Sequence, residues 1–236
     1  SETIVLEREM KLIAAYHKGP ELAMISHLDV QRTLQRAFRR AGLPLLYSNG
    51  FNPHPQFSFA TAAATGMSSD GEWFEVQLSE SILPSEFVRR ANRAMPQGML
   101  ISDAFEPPEG FGSLSAKLRA AEYEVKLTFT EAVTVEKLQI TLEEMLSGEI
   151  VINKRTKGGV RPVDMRPYIL RVSVVRVEGD QAVLRVLGKL QADGGLRVDA
   201  FIDALLERLD AHASYALHRM AMYFAEDGLL PRLPAE

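Results

Sequence analysis

The chain has 236 residues, 46% hydrophobic and 25% charged, the proportions of an ordinary globular protein; at that length one large or two modest domains are expected. Its formal net charge of −4 excludes a histone-like polyelectrolyte, and the absence of cysteine excludes disulfides, thiolate nucleophiles, iron–sulfur clusters and cysteine-ligated zinc. No apolar run is long enough to span a bilayer and Ser1–Leu12 has no signal-peptide core, so neither membrane insertion nor export is expected, and a cytoplasmic protein is.

Met10–Ile25 opens as a strand interrupted by Gly19-Pro20. Ser26 then stands as the N-cap of an amphipathic helix, with Asp29 in its first turn and Gly42 and Pro44 ending it. Val30, Leu34, Ala37, Phe38 and Ala41 share one face at helical spacing; Arg32, Arg36, Arg39 and Arg40 take the other. Leu43–Tyr47 reads as a short strand. The segment Ser48–Ala60, rich in turn formers and aromatics, follows as a loop, because Pro53 and Pro55 bar His54 from a helix interior or a central strand. Its prolines are expected to fix the backbone and its phenylalanines to anchor it. Phe57–Thr65 is a further strand candidate, and Gly71–Ser79 alternates as a half-buried strand. Leu83–Met95 is a second helix and Met99–Ala104 a closing strand.

Glu106–Gly112 is a linker by composition, and the same order of elements then repeats. Glu122–Phe129 is a strand, Thr134–Leu146 a helix and Ile150–Asn153 a short strand. Pro167–Glu178 and Gln181–Gly188 form a hairpin about Gly179-Asp180, followed by a helix at Val198–Asp210 and a strand at Leu217–Phe224. The expected fold is α+β: two tandem ferredoxin-like (split βαβ) units with antiparallel sheets, at residues 10–106 and 116–230.

Positive charge is segregated. Between Lys11 and Ala60 six basic residues face two carboxylates, and between Val151 and Arg171 six face one. Segregated cations attract a polyanion where spread ones would merely solubilise. In the second segment Lys154, Arg155, Lys157 and Arg161 surround Gly158-Gly159, whose backbone N–H groups can approach phosphate, and Arg166-Pro167-Tyr168 places a cation beside an aromatic ring. The bland alternative is a solvated basic hairpin. No P-loop, GxSxG elbow or HxxxH spacing is present, so nucleotide hydrolysis, a serine triad and a metal centre have no support, and no cofactor is expected in this chain.

The candidate catalytic residues are His27, at the helix start, and His54, in the loop. Either could act as general base on a 2′-hydroxyl in a metal-independent ribonuclease of the kind that processes CRISPR repeat RNA. The alternatives are a helix-capping side chain for His27 and an imidazole bonded to loop backbone for His54.

Ser26-His27-Leu28-Asp29, Arg39-Arg40, Gly42, Tyr47-Ser48, Gly50-Phe51-Asn52-Pro53-His54-Pro55, Ser58-Phe59 and Gly66 together resemble the bacterial radical-SAM-linked protein family, a domain of unknown function; Val163–Ile169 resembles its second signature. The resemblance implies a radical SAM partner of cobalamin-binding type, fused or encoded nearby, and an RNA-modifying or RNA-processing setting. The reading it supports is an RNA-binding accessory protein that presents tRNA or rRNA to that partner through Arg32, Arg36, Arg39, Arg40, Asn52, His54, Lys154, Arg155, Lys157, Arg161, Arg166 and Tyr168. The ribonuclease and a protein-only adaptor for the partner are the alternatives.

Overall fold

Helix α1 (His27–Arg40) begins where the sequence places its cap: in the computed structural model, which describes residues 8–62, 64–192, 194–225 and 228–234, the Ser26 Oγ accepts the Asp29 N–H at 3.1 Å. Val30, Leu34, Ala37 and Phe38 bury one face. The chain is α+β, with few helices on largely antiparallel sheets. It divides into two compact units, Ser1–Leu118 and Arg119–Glu236.

In the first unit β1 (Met10–Lys18), β2 (Phe57–Phe59), β3 (Met67–Leu78) and β4 (Met99–Phe105) stand in the order β2-β3-β1-β4 with antiparallel neighbours. Leu12 lies opposite Val76 and Ala14 opposite Phe74. Together with Met10, Tyr16 and Leu78 these residues line the core beneath α1 and α2 (Pro84–Ala94). β1 is buried at seven of nine positions, which explains why it reads as a nearly continuous apolar run. Phe38 is the hub of the core, its ring 5.8 Å from Phe57, 5.9 Å from Phe74 and 5.3 Å from Phe87, while Phe57 stacks on Phe74 at 4.7 Å. The fully buried rings of Phe38, Phe74 and Phe87 each contribute about 1.5–3 kcal/mol. A short helix, α3 (Leu114–Lys117), follows.

Two expected strands are shorter than the sequence implies. Leu43–Tyr47 makes only the isolated bridges Leu45–Leu78 and Tyr47–Pro55, and the strand beginning at Phe57 ends at Phe59. Proline supplies no N–H to a ladder, so Pro44 and Pro55 limit pairing on either side of the loop.

The second unit comprises β5 (Leu118–Phe129), α4 (Val135–Leu146), β6 (Val151–Thr156), β7 (Gly159–Asp164), β8 (Ile169–Glu178), β9 (Gln181–Gln191), β10 (Gly194–Gly195), α5 (Val198–Leu209) and β11 (Ala213–Phe224). Its main sheet runs β10-β9-β5-β11, with β8 also paired to β9. Tyr123, Val125, Leu127 and Phe129 alternate inward along β5. The β8–β9 turn is the expected one, with Gly179 at φ +62°. β6 and β7 pair only with each other, as a separate two-stranded ribbon between α4 and β8. The sequence foresaw only Ile150–Asn153 of it as strand, because most of the ribbon is exposed and carries no apolar alternation.

Candidate nucleic-acid interface

All four arginines of α1 are exposed, and they do different things. Arg32 pairs with Asp29 at 3.5 Å, a solvated contact worth little. Arg39 donates from Nε to the Tyr47 hydroxyl at 3.1 Å, with its guanidinium 5.9 Å from that ring. Arg40 donates to the Ala94 carbonyl at 2.8 Å, where α2 ends. Arg36 has no ion pair or hydrogen bond among the described residues. α2 answers α1 with arginines of its own. Arg90 donates to the Ala41 carbonyl at 3.2 Å and also to that of Gly42, so each helix end is held by an arginine from the other helix. Cations at the carbonyl end of a helix also complement its dipole. Arg89 is paired with Glu86 through Nε at 2.8 Å, and the arginines beside Glu86 hold its carboxyl below the ordinary carboxylate range. Arg40, Glu86, Arg89, Arg90 and Arg93 line an open cleft of about 500 Å³ with a single carboxylate in it.

The loop after α1 is closed by a short ladder. The Ser48 N–H donates to the His54 carbonyl at 2.8 Å and the Gln56 N–H to the Leu46 carbonyl at 2.9 Å. Ser48 Oγ accepts the His54 N–H at 3.2 Å and lies 3.0 Å from His54 Nδ1, and the Asn52 carbonyl lies 3.4 Å from the same nitrogen. His54 is therefore tied through Nδ1 into the loop while its ring remains exposed. Gly50 turns the chain at φ +123°, a backbone that an L side chain would strain. Asn52 is exposed as well. The expectation that the phenylalanines anchor the loop holds for Phe57 and Phe59, which pack on the core, and fails for Phe51. Phe51 is 105% exposed, because the turn at Gly50 directs it away from the core that receives the other two.

On the ribbon, Lys154 lies directly opposite Arg161, so the two cations share a face, while Arg155 faces Val160. Lys157 sits in the turn. None of these four has an ion pair or hydrogen bond through its charged group among the described residues. Asp164, the segment's only carboxylate, accepts instead from the Ile150 and Arg166 N–H groups at 2.8 and 2.9 Å. Arg166 leaves the cationic set: Nε donates to the Leu146 carbonyl at 2.6 Å and Nη1 to that of Ile169 at 3.0 Å, bracing the end of α4. Tyr168 is half-buried beside it. His27, in the first unit, meets the Phe59 ring edge-on at 4.5 Å, and burial and then the Lys18 charge hold its pKa below the ordinary imidazole value.

The profile of a bacterial family described as "Uncharacterized protein conserved in bacteria (DUF2344)" matches residues 11–197. The chain belongs to the DUF2344 family. The matched region of this DUF2344 chain contains α1, the loop, α2 and the ribbon. No curated protein matches it. Among solved structures, a chain in the crystal structure of a Cbf5-Nop10-Gar1 complex is 15% identical with a TM-score of 0.55, over 94% of this chain and 52% of that one. A chain in a structure of an H/ACA RNP bound to a substrate RNA containing 2'-deoxyuridine is 14% identical with a TM-score of 0.51 over 94% and 50%; one in the archaeal box H/ACA sRNP Nop10-Cbf5 complex is 13% identical with a TM-score of 0.51 over 94% and 50%. The DUF2344 chain thus spans about half the length of the chains it resembles, and at these identities the likeness is one of fold.

Arg89, Arg90 and Arg93 are absent from the candidates that the DUF2344 sequence suggests. Their signal is present as two adjacent arginines and a third three residues on, near the end of α2. What hides it is the separation of about 50 residues between the two helix ends that meet.

Proposed function

We propose that this chain is an RNA-binding accessory protein that serves a radical SAM partner in the modification or processing of tRNA or rRNA. The observation that carries the reading is the placement of charge. Among the described residues of a chain of net charge −4, Arg36 and Arg93 are exposed with no ion pair or hydrogen bond on one unit, and the charged groups of the ribbon cations Lys154, Arg155, Lys157 and Arg161 have none on the other. Arg32, Arg39, Arg40, Asn52 and His54 complete the first contact region and Tyr168 the second, with Arg166 acting as a brace. Two of the solved structures it resembles are ribonucleoprotein assemblies, one of them bound to a substrate RNA, which supports an RNA setting by analogy of fold. The partner rests on the resemblance of the Ser26–Asp29 and Tyr47–Pro55 motifs to radical-SAM-linked proteins.

The fold reading beneath the proposal is two tandem ferredoxin-like units. The order β2-β3-β1-β4 supports it in the first unit, and the succession β5-α4-β8-β9-α5-β11 supports it in the second once the ribbon is set aside.

Filter binding of single-stranded RNA between about 50 and 200 mM salt is the test. Affinity is expected to fall steeply with salt, and Arg36→Ala combined with Arg93→Ala to lower the logarithmic salt slope by about 1.4, some 0.7 for each phosphate no longer neutralised. RNA that is not retained at low salt, or binding indifferent to salt, would falsify the reading. For the partner, co-expression with the radical SAM protein should yield a complex that survives nuclease treatment; two separate species would remove that element of the proposal.

A further inference from the structure

The aromatic ring at the tip of the loop has no structural task. Phe57 and Phe59 hold the loop to the core, and Pro55 is buried at its base, whereas Phe51 is 105% exposed. A single exposed apolar residue on a surface is ordinary. Phe51 differs in how it is presented. The loop beneath it is cross-braced by the Ser48–His54 and Leu46–Gln56 backbone hydrogen bonds and by Ser48 Oγ on the His54 N–H. Ordering so braced a segment on binding costs little, which is the condition under which one ring contributes strongly to affinity.

The loop is also joined to the cationic helix. Tyr47, at its base and 38% exposed, accepts a hydrogen bond from Arg39 and lies under that guanidinium, one helical turn from Arg36, which has no ion pair or hydrogen bond among the described residues. The exposed ring thus stands on a loop whose base, Tyr47, is bonded to Arg39 of the helix that also carries Arg36. Charge complementarity selects the occupant. A surface of this composition fits a single nucleic-acid strand, whose phosphates take the arginines and whose unpaired bases offer flat faces to the rings. A duplex presents its phosphates but keeps its base faces stacked inside.

We infer that Phe51 is a stacking residue for an unpaired base of single-stranded RNA, held in place by Ser48 and His54, with Arg36 and Arg39 taking the adjacent phosphates. The inference rests on the RNA-binding reading and adds to it a substrate class, single-stranded rather than duplex, and a residue that carries no charge.

The test compares Phe51→Ala with the unmodified full chain on a labelled oligoribonucleotide of roughly 12 nucleotides, free and annealed as a blunt duplex. Phe51→Ala should weaken single-strand binding roughly ten-fold while leaving its salt slope and the duplex affinity unchanged. Phe51→Trp should restore binding, with its new emission quenched as RNA is added; the native Trp73 is 7% exposed and should contribute little to that change. If the unmodified chain binds no RNA, the inference falls together with the reading beneath it. If the chain binds RNA with the expected salt dependence but Phe51→Ala binds equally well, or weakens strand and duplex alike, the inference alone is overturned. Loss of the radical SAM complex with RNA affinity intact would overturn it too, in favour of a protein-docking role.

Discussion

His27 shows how one residue can be read in two ways while its surroundings set its protonation. Its position behind Ser26 at a helix start is compatible with a general base or with a cap, but Ser26 itself caps the helix and the imidazole lies edge-on to Phe59. Burial, followed by the Lys18 charge, disfavours the imidazolium, so the folded pKa lies below the ordinary value of 6.5. The sign follows from linkage. A depressed histidine pKa contributes stability that is fully present above pH 6.5 and is lost as the pH falls below it, because the unfolded chain then binds the proton more readily. Urea unfolding between about pH 8 and about pH 5 should show this loss, and His27→Gln should flatten that part of the profile. An unchanged acid limb in the variant would refute the assignment. Phe51 makes the opposite point at the same scale. Nothing in the sequence separates it from Phe57 and Phe59, since all three are phenylalanines in one aromatic stretch, and only the turn at Gly50 sends one outward.

At the scale of elements, α1 is legible nearly to the residue because cap, apolar stripe and stop signal agree. α4 has the same construction, with the Thr134 Oγ1 accepting the Lys137 N–H at 3.2 Å. Ser26→Ala and Thr134→Ala should each cost about 1 kcal/mol, read from denaturant midpoints, while Ser→Gly or Thr→Gly at the same positions should cost only a few tenths. A midpoint unmoved by either alanine would mean the helices are fixed by packing alone. The ribbon is legible as a charged segment but not as a hairpin. A strand pair with a single buried residue, Ile152, has too little buried face to impose a period of two, so its register, Lys154 opposite Arg161, is set by pairing that the sequence pattern does not display.

For the whole molecule, the decisive quantity is where the charges stand rather than their sum. Among the described residues no helix is long and apolar enough to cross a membrane, and no group of three or more His, Asp or Glu converges as a metal site would require. The ribbon supplies a clean test of charge placement, because its cations are not tied to the main sheet. Lys154→Glu with Arg161→Glu should leave the circular dichroism spectrum and unfolding midpoint within about 0.5 kcal/mol of the original, since surface substitutions away from caps and cores seldom do more. The same pair should weaken RNA binding and lower its salt slope. Unaltered RNA affinity would confine the contact to the first unit.

Composition and periodicity alone determined the α+β class, the helices with the Ser26 cap, the hairpin at Gly179 and the segregation of charge, because each depends on residues near one another along the chain. Tertiary structure decided which arginines are free. Arg40, Arg90 and Arg166 bind backbone carbonyls some 20 to 54 residues away, whereas Arg36 and Arg93 bind none among the described residues. It also decided that Phe51 faces solvent. A side chain's partners across such distances are fixed only when the sheet brings its helices and loops together, and no local pattern encodes that meeting.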